Sequence, residues 1–297
     1  MQALVIPNLD KQNAVSSTRA VLERLCASGI GALLDERLRG PIGEAGGGRF
    51  TPFREAAKAC DLILSIGGDG TMLHAARDAV AWDKPLLGVN LGRLGFMTSL
   101  ELSELQRLDA LAAGNWREER RMLLECLHWP GDGNAPSRYL ALNDVVATKG
   151  ALSRMVDLDV SCDGGRPMHI RADGVILSTP TGSTAYALSA GGPMVEPGMR
   201  CISMTPICPH SLQMRTVIFG PERLITLRPG QEARSEIYLT VDGEQGARLE
   251  EGARLEIRRS SRELRLIALR EAGFYEILSD KFKLHWLEGG ASERIGD

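Results

Sequence analysis

The chain reads as an α/β domain followed by a β-rich domain, and three observations predict this. Short apolar runs alternate with helical stripes over roughly the first 115 residues. Glycine clusters fall where a strand would run into a helix. Past Trp116 the helical period fades and strand patterns punctuated by Asp-Gly pairs take over. The boundary is expected near residues 115–120, giving an α/β domain over 1–118, a β-rich domain over 119–271 and a closing segment over 272–297.

Each element has its own signal. Ala3 to Ile6 is a short apolar strand. Ala14, Thr18, Val21, Leu22 and Leu25 share one helical stripe, and Gly29 suits the cap that ends it. The stretch GEAGGGRF, Gly43 to Phe50, has no period and reads as a loop. Leu62 to Ile66 is a buried strand, Thr71 to Val80 a helix and Pro85 to Val89 another strand. Strand–helix–strand order predicts a parallel sheet with right-handed crossovers. In the second domain Val156, Leu158 and Val160 alternate with Asp157 and Asp159, the period of a half-buried strand. The runs RLITL, EIYLTV and RLEI read alike, and Asp163-Gly164, Asp173-Gly174 and Asp242-Gly243 are expected turns.

Composition narrows the function classes. The 297 residues suffice for two cores, and the 43% hydrophobic and 25% charged content is that of a globular protein. A net charge of -3 supplies no broad basic field, so neither nucleic acid nor an anionic membrane is an expected partner. No run approaches the ~18 apolar residues of a membrane span. The opening MQALVIPNLDKQ lacks a basic region and a cleavage site, so it reads as a strand and not as a signal peptide. Cys26, Cys60, Cys126, Cys162, Cys201 and Cys208 are scattered without a CxxC pair, as expected of reduced thiols in a cytoplasmic protein. The five histidines show no HExxH spacing, and no directly ligated metal site is assigned.

Four segments carry chemistry. The first is LILSIGGDGTML, in which a strand runs through Gly67, Gly68, Asp69 and Gly70 into a helix starting near Thr71. Glycines let a phosphate approach main-chain N–H groups, and a helix N-terminus adds free donors. A carboxylate there fits a group that deprotonates an attacking hydroxyl or binds the magnesium of a nucleotide. The plainer reading is a tight turn with Asp69 as helix cap. The second is GVNLGRLGFM, where Phe96 is either core or a stacking ring. The third is ALNDVVATKG: Asn143 could pair with a base edge and Asp144 accept from ribose hydroxyls, or the pair is simply a turn. The fourth, RADGVILSTPTGSTAYALSAGGP, is dense in glycine and small hydroxyls (Ser178, Thr179, Thr181, Ser183, Thr184) that could reach a polar ligand. Neither GxxxxGK[ST] nor GxGxxG occurs, so a P-loop enzyme and a protein kinase are excluded.

GGDGT is similar to the motif shared by NAD kinases, diacylglycerol kinases and sphingosine kinases, with a related form in phosphofructokinases. TPTGSTAYALSAGGP resembles the signature of bacterial and eukaryotic NAD kinases, without a lipid-kinase counterpart, and LGRLGF resembles their LGxLGF stretch. The resemblance covers about residues 60–245 and implies a Rossmann-like first domain of the phosphofructokinase/diacylglycerol-kinase-like superfamily. It implies transfer of the γ-phosphoryl group of ATP to the 2′-hydroxyl of the adenosine ribose of NAD. A divalent ion, magnesium by preference, would accompany ATP, and polyphosphate is the alternative donor. By the same resemblance Asp69 accepts the ribose proton, within Gly68, Gly70 and Thr71. Phe96 lies beside the adenine, and Asn143 and Asp144 contact the adenosine half. Asp173 takes the nicotinamide-riboside side, while Thr184, Ala185, Tyr186, Ala187, Leu188 and Ser189 line the pocket. Arg154 and Arg171 match basic positions near the nucleotide; read without the resemblance, each is a solvated surface arginine.

Two departures stand out: Thr216 replaces the proline of HSLxxRP, and Glu244 precedes Gln245 where the family has DGQ, leaving open which of the two faces ligand. The closing segment is expected to return to the first domain, and the assembly to be a homodimer or homotetramer. Two other classes stay open. A lipid kinase calls for an apolar or basic membrane-facing patch that the sequence does not present. A non-catalytic NAD(P)-binding sensor is opposed by the intact GGDGT.

Overall fold

The computed structural model describes residues 1–43, 47–92, 95–98, 100–150, 153–230, 235–270 and 274–282. Residues 44–46 of the expected loop, Arg93 and Leu94, and the chain beyond Phe282 lie outside the described residues, while Arg49 and Phe50, expected in that loop, belong to a strand that pairs in parallel with residues 33–35. The chain divides into two compact units. One is Met1–Asp78 with Lys84–Glu118 and Ile267–Asp297; the other is Ala79–Asp83 with Glu119–Leu266. Among the described residues no helix is long and apolar enough to cross a membrane. The six cysteines are free.

The first unit is built on parallel strands β1 (Gln2–Pro7), β2 (Gly31–Asp35), β3 (Arg49–Thr51), β4 (Leu62–Gly67) and β5 (Leu86–Asn90). Their order is β3-β2-β1-β4-β5, and the short β6 (Leu100–Glu101) pairs with β5. Every residue of β4 is buried, the pattern of a strand covered on both faces. Helices α1 (Ala14–Ala27), α2 (Arg39–Ile42), α3 (Phe53–Ala59), α4 (Asp69–Ala81) and α5 (Leu108–Ala112) follow the strands. The stripe Ala14, Thr18, Val21, Leu22 and Leu25 faces inward as expected. Gly29 sits at φ 74, with Ile30 N–H donating to the Leu25 carbonyl and Gly29 N–H to that of Cys26, a Schellman ending. Strand order reverses between β1 and β4, which places the ligand crevice of such a sheet at their C-terminal ends.

The second unit holds antiparallel strands in two sheets. The first sheet joins β7 (Arg117–Trp129), β8 (Ser137–Ala141), β10 (Val156–Cys162), β11 (Met168–Ala172), β15 (Ile225–Pro229) and β18 (Arg254–Ala268). The second runs β14-β13-β12-β9-β16-β17, where β9 is Asp144–Lys149, β12 Gly174–Ser178, β13 Ile202–Ile207, β14 Val217–Phe219, β16 Ile237–Val241 and β17 Glu244–Leu249. Val156, Leu158 and Val160 of the first sheet share one core with Val145, Val175, Leu177 and Leu239 of the second, so the sheets pack face to face. The opposite face of the second sheet, at Val146 and Ile176, takes Ala187 of the short helix α6 (Tyr186–Ser189).

The three expected Asp-Gly turns differ. Asp242 (φ 51) and Gly243 (φ 79) form the β16–β17 hairpin turn, with both central residues left-handed as a type I′ turn requires. Asp163 (φ 50) and Gly164 (φ 71) begin the β10–β11 loop. Asp173-Gly174 is a bend at which the chain leaves the first sheet for the second. Glycine is required there because a Cβ on Gly174 would collide with the Ala147 carbonyl across the strand pair.

Candidate functional site

The first unit gathers its polar residues where β1, β4 and β5 end. Helix α4 starts at Asp69, two residues earlier than the sequence pattern suggests, because Met72 N–H already donates to the Gly68 carbonyl. A Cβ on Gly70 would meet nothing within 4 Å, and one on Gly68 only Asn90 Oδ1 at 3.9 Å. The entrance to the helix is therefore open space lined by main chain. Asn8, which follows β1, donates through Nδ2 to Thr71 Oγ1 at 3.1 Å and ties the end of β1 to the first turn of α4.

Asp69 is held from the neighbouring loop. Its carboxylate accepts from Phe96 N–H at 3.0 Å and from Met97 N–H at 3.3 Å. A Cβ on Gly95 would collide with that carboxylate, which explains the glycine of the LGF stretch. The loop is braced by Asn90 Nδ2 donating to the Gly92 carbonyl at 2.7 Å and by Gly95 N–H donating to Thr98 Oγ1 at 2.9 Å. Phe96 is half-buried and lies outside the core. Its ring centroid is 6.1 Å from that of Phe274, and the Lys281 ammonium sits 4.7 Å from it. Gly95 belongs to the glycine-marked passage of the GVNLGRLGFM segment, whereas Asn8, Asn90 and Lys281 are not singled out by any motif; an asparagine at the end of an apolar strand is the available signal for the first two.

The second unit clusters its residues around the start of β9. Asn143 and Asp144 leave β8 and enter that strand, and Asp242 closes on them from the hairpin turn. Thr179 N–H donates to the Asn143 carbonyl at 2.9 Å, and Thr179 Oγ1 to the Leu142 carbonyl at 2.5 Å. A Cβ on Gly182 would collide with Asn143 main chain. The TPTG turn and the Asn-Asp pair are thus one packed feature. Burial, with the charge of Asp242 added, pushes the Asp144 carboxyl up to about 7.

The hydroxyls of the TPTGSTAY stretch mainly shape the loop. Ser178 Oγ donates to the Thr179 carbonyl, Ser183 Oγ to that of Pro180, and Thr184 Oγ1 to that of Thr181. Beyond them Thr184, Ala185 and Leu188 are half-buried, while Tyr186 and Ser189 are exposed. The Ala187 side chain is buried against Val146 and Ile176. Asp173 pairs with Lys149 at 3.0 Å. Arg171 is exposed beside Asp157, and Arg154 is exposed ahead of β10. Thr216 shares a 3.1 Å hydrogen bond with Thr205 Oγ1, a tie that a proline could not make. Glu244 is exposed, and the side chain of Gln245 lies outside the described residues. Among the described residues no group of three or more His, Cys, Asp or Glu comes together as a metal cage.

Comparison with known proteins covers both units. Residues 4–114 match the ATP-NAD kinase N-terminal domain and residues 142–269 the ATP-NAD kinase C-terminal domain, so the likeness begins well before residue 60. An NAD kinase of Desulforamulus reducens is 38% identical over 96% of this chain and 98% of its own. One of Magnetococcus marinus is 41% identical over 82% of this chain and 79% of its own. Yeast NADH kinase complexed with NADH superposes with a TM-score of 0.83 at 25% identity, over 100% of this chain and 90% of that one. An NAD kinase from Archaeoglobus fulgidus in complex with ATP shares the fold, with a TM-score of 0.69 at 24% identity over 95% of this chain and 99% of that one. With GGDGT, the LGF loop that grips Asp69 and the TPTGSTAY turn all in place, the chain belongs to the NAD kinase family.

Proposed function

We propose that Asp69 is the base of this kinase, drawing the proton from the 2′-hydroxyl of the adenosine ribose of NAD as that oxygen attacks the γ-phosphorus of ATP. The bond from the γ-phosphorus to the β–γ bridging oxygen breaks, and NADP and ADP result. The observation that carries this reading is the grip on Asp69: a carboxylate at the glycine-lined mouth of α4, aimed by two main-chain donors on the LGF loop. Aiming of this kind suits general-base work, which contributes roughly 10²–10⁴-fold in rate. The free N–H groups at the start of α4 supply a place for phosphate oxygens. ATP enters as its magnesium complex, and positioning supplies most of the remaining acceleration.

Asn143 and Asp144 take the adenosine half of NAD, with Phe96 beside the adenine. Asp173 takes the nicotinamide-riboside side. Thr184, Ala185, Tyr186, Leu188 and Ser189 present the face of the TPTGSTAY turn to the dinucleotide, and Arg154 and Arg171 supply positive charge near it. The protein works in the cytoplasm as a homodimer or homotetramer, on small nucleotides and not on nucleic acid or membranes.

The test is NADP formation by purified protein with NAD, ATP and magnesium, for wild type and Asp69→Asn. The expected result is robust turnover in the first and a loss of about 10²-fold or more in the second, with NAD binding kept. Near-normal turnover by Asp69→Asn, or lost NAD binding, would overturn the assignment. Absence of turnover in the wild type with NAD binding intact would instead point to a sensor or to another phosphate donor.

A further inference from the structure

We propose that Asp242 is a positioning residue for the dinucleotide, setting the Asn143–Asp144 pair through main-chain hydrogen bonds; this rests on the reading that the pair holds the adenosine half of NAD. The Asp242 carboxylate accepts from Leu142 N–H at 2.9 Å, Asn143 N–H at 2.7 Å and Asp144 N–H at 3.1 Å. Its own N–H donates to the Asp144 carbonyl at 3.0 Å. One side chain thereby fixes three consecutive peptide units about 100 residues away in sequence.

The hairpin turn by itself does not ask for this carboxylate. A type I′ turn favours Asn at this position at least as well as Asp. What Asn lacks is a second acceptor oxygen: its amide NH2 would meet one of the three N–H groups donor to donor. The residue is also 9% exposed, so water does not readily replace the lost acceptor. The choice of Asp is costly as well as useful, because its charge sits next to buried Asp144. A negative charge kept beside another negative charge points to a demand other than hairpin closure, and the three aligned N–H groups are that demand.

The experiment measures KM for NAD, KM for ATP and kcat in wild type, Asp242→Asn, Asn143→Ala and Asp144→Ala, with a thermal melt of each. Loss of a charged acceptor from a buried site predicts that Asp242→Asn raises KM for NAD by about tenfold or more. KM for ATP should stay within about threefold, a selectivity that general destabilisation does not produce. If Asn143→Ala and Asp144→Ala raise KM for NAD and Asp242→Asn does not, the positioning role is wrong and the adenosine reading stands. If all three leave KM for NAD unchanged, the adenosine reading itself is wrong and takes the proposal with it. An equal rise in both KM values overturns the proposal too. Should Asp242→Asn fail to fold, Asp242→Glu, which keeps the charge and shifts it by one methylene, is judged by the same criteria.

Discussion

Single residues here are chosen for what they touch. Asp69 draws its significance from Gly95, Phe96 and Met97, and the collision that a Cβ at 95 would cause shows how closely that loop is fitted. Asp144 illustrates the opposing costs of such a site. Burial and the charge of Asp242 hold its carboxyl near 7, above its value in the unfolded chain. The folded protein therefore binds the extra proton between about pH 4 and 7. Its contribution to stability is fully present below the unfolded value and is lost as pH rises through the folded one. The ligand-free protein should thus lose on the order of a few kcal/mol from this group between pH 5 and 8. Asp144→Asn should flatten that slope and raise stability at pH 8, read by urea titration at both pH values, while weakening NAD binding. An unchanged slope would mean that Asp144 does not carry the proton.

At the scale of elements, turn and cap chemistry decides more than periodicity. α1 shows all its levels agreeing: the buried stripe, the glycine at φ 74 and the two Schellman hydrogen bonds. Gly29→Ala would force a Cβ into the left-handed region with nothing nearby to clash, so its effect isolates backbone strain. A loss of about 1 kcal/mol is expected, measured by denaturant midpoint. Strand β12 is a plain apolar run in the sequence, Val175-Ile176-Leu177, and nothing in that run marks it as a divider of two environments. Val175 and Leu177 enter the core between the sheets, while Ile176 meets α6 on the other side. Both neighbourhoods are apolar, so no alternation marks them in the sequence. The bend at Asp173-Gly174 looked like a hairpin turn for a related reason: Asp-Gly signals a change of direction without saying which strand comes next.

For the whole molecule, the residues proposed to act divide between the two units: the GGDGT glycines and Asp69 in the first, and the Asn143–Asp144–Asp242 cluster with the TPTGSTAY turn in the second. Since the divalent ion is proposed to enter with ATP, NAD binding and metal dependence should separate. NAD at about 100 times its Kd should add about 2.7 kcal/mol of stability by mass action. That rise in Tm should survive EDTA, whereas turnover should vanish, as thermal melts and activity assays with and without chelator would show. A Tm rise that disappears with EDTA would place the metal in NAD binding instead.

The sequence by itself determined the class of fold, the parallel strands of the first unit, the inward stripe of α1, the half-buried period of β10 and the family. These follow from local pattern, glycine chemistry and contiguous motifs, all written in neighbouring residues. Only the tertiary structure decided that the LGF loop holds Asp69, that hydroxyls of the signature turn bond their own main chain, that Ala187 is packed inside, and that Asp242 reaches the peptide units of residues 142–144. Hydrogen bonds between residues far apart in sequence depend on how strands are ordered and which faces meet, and no local period records that.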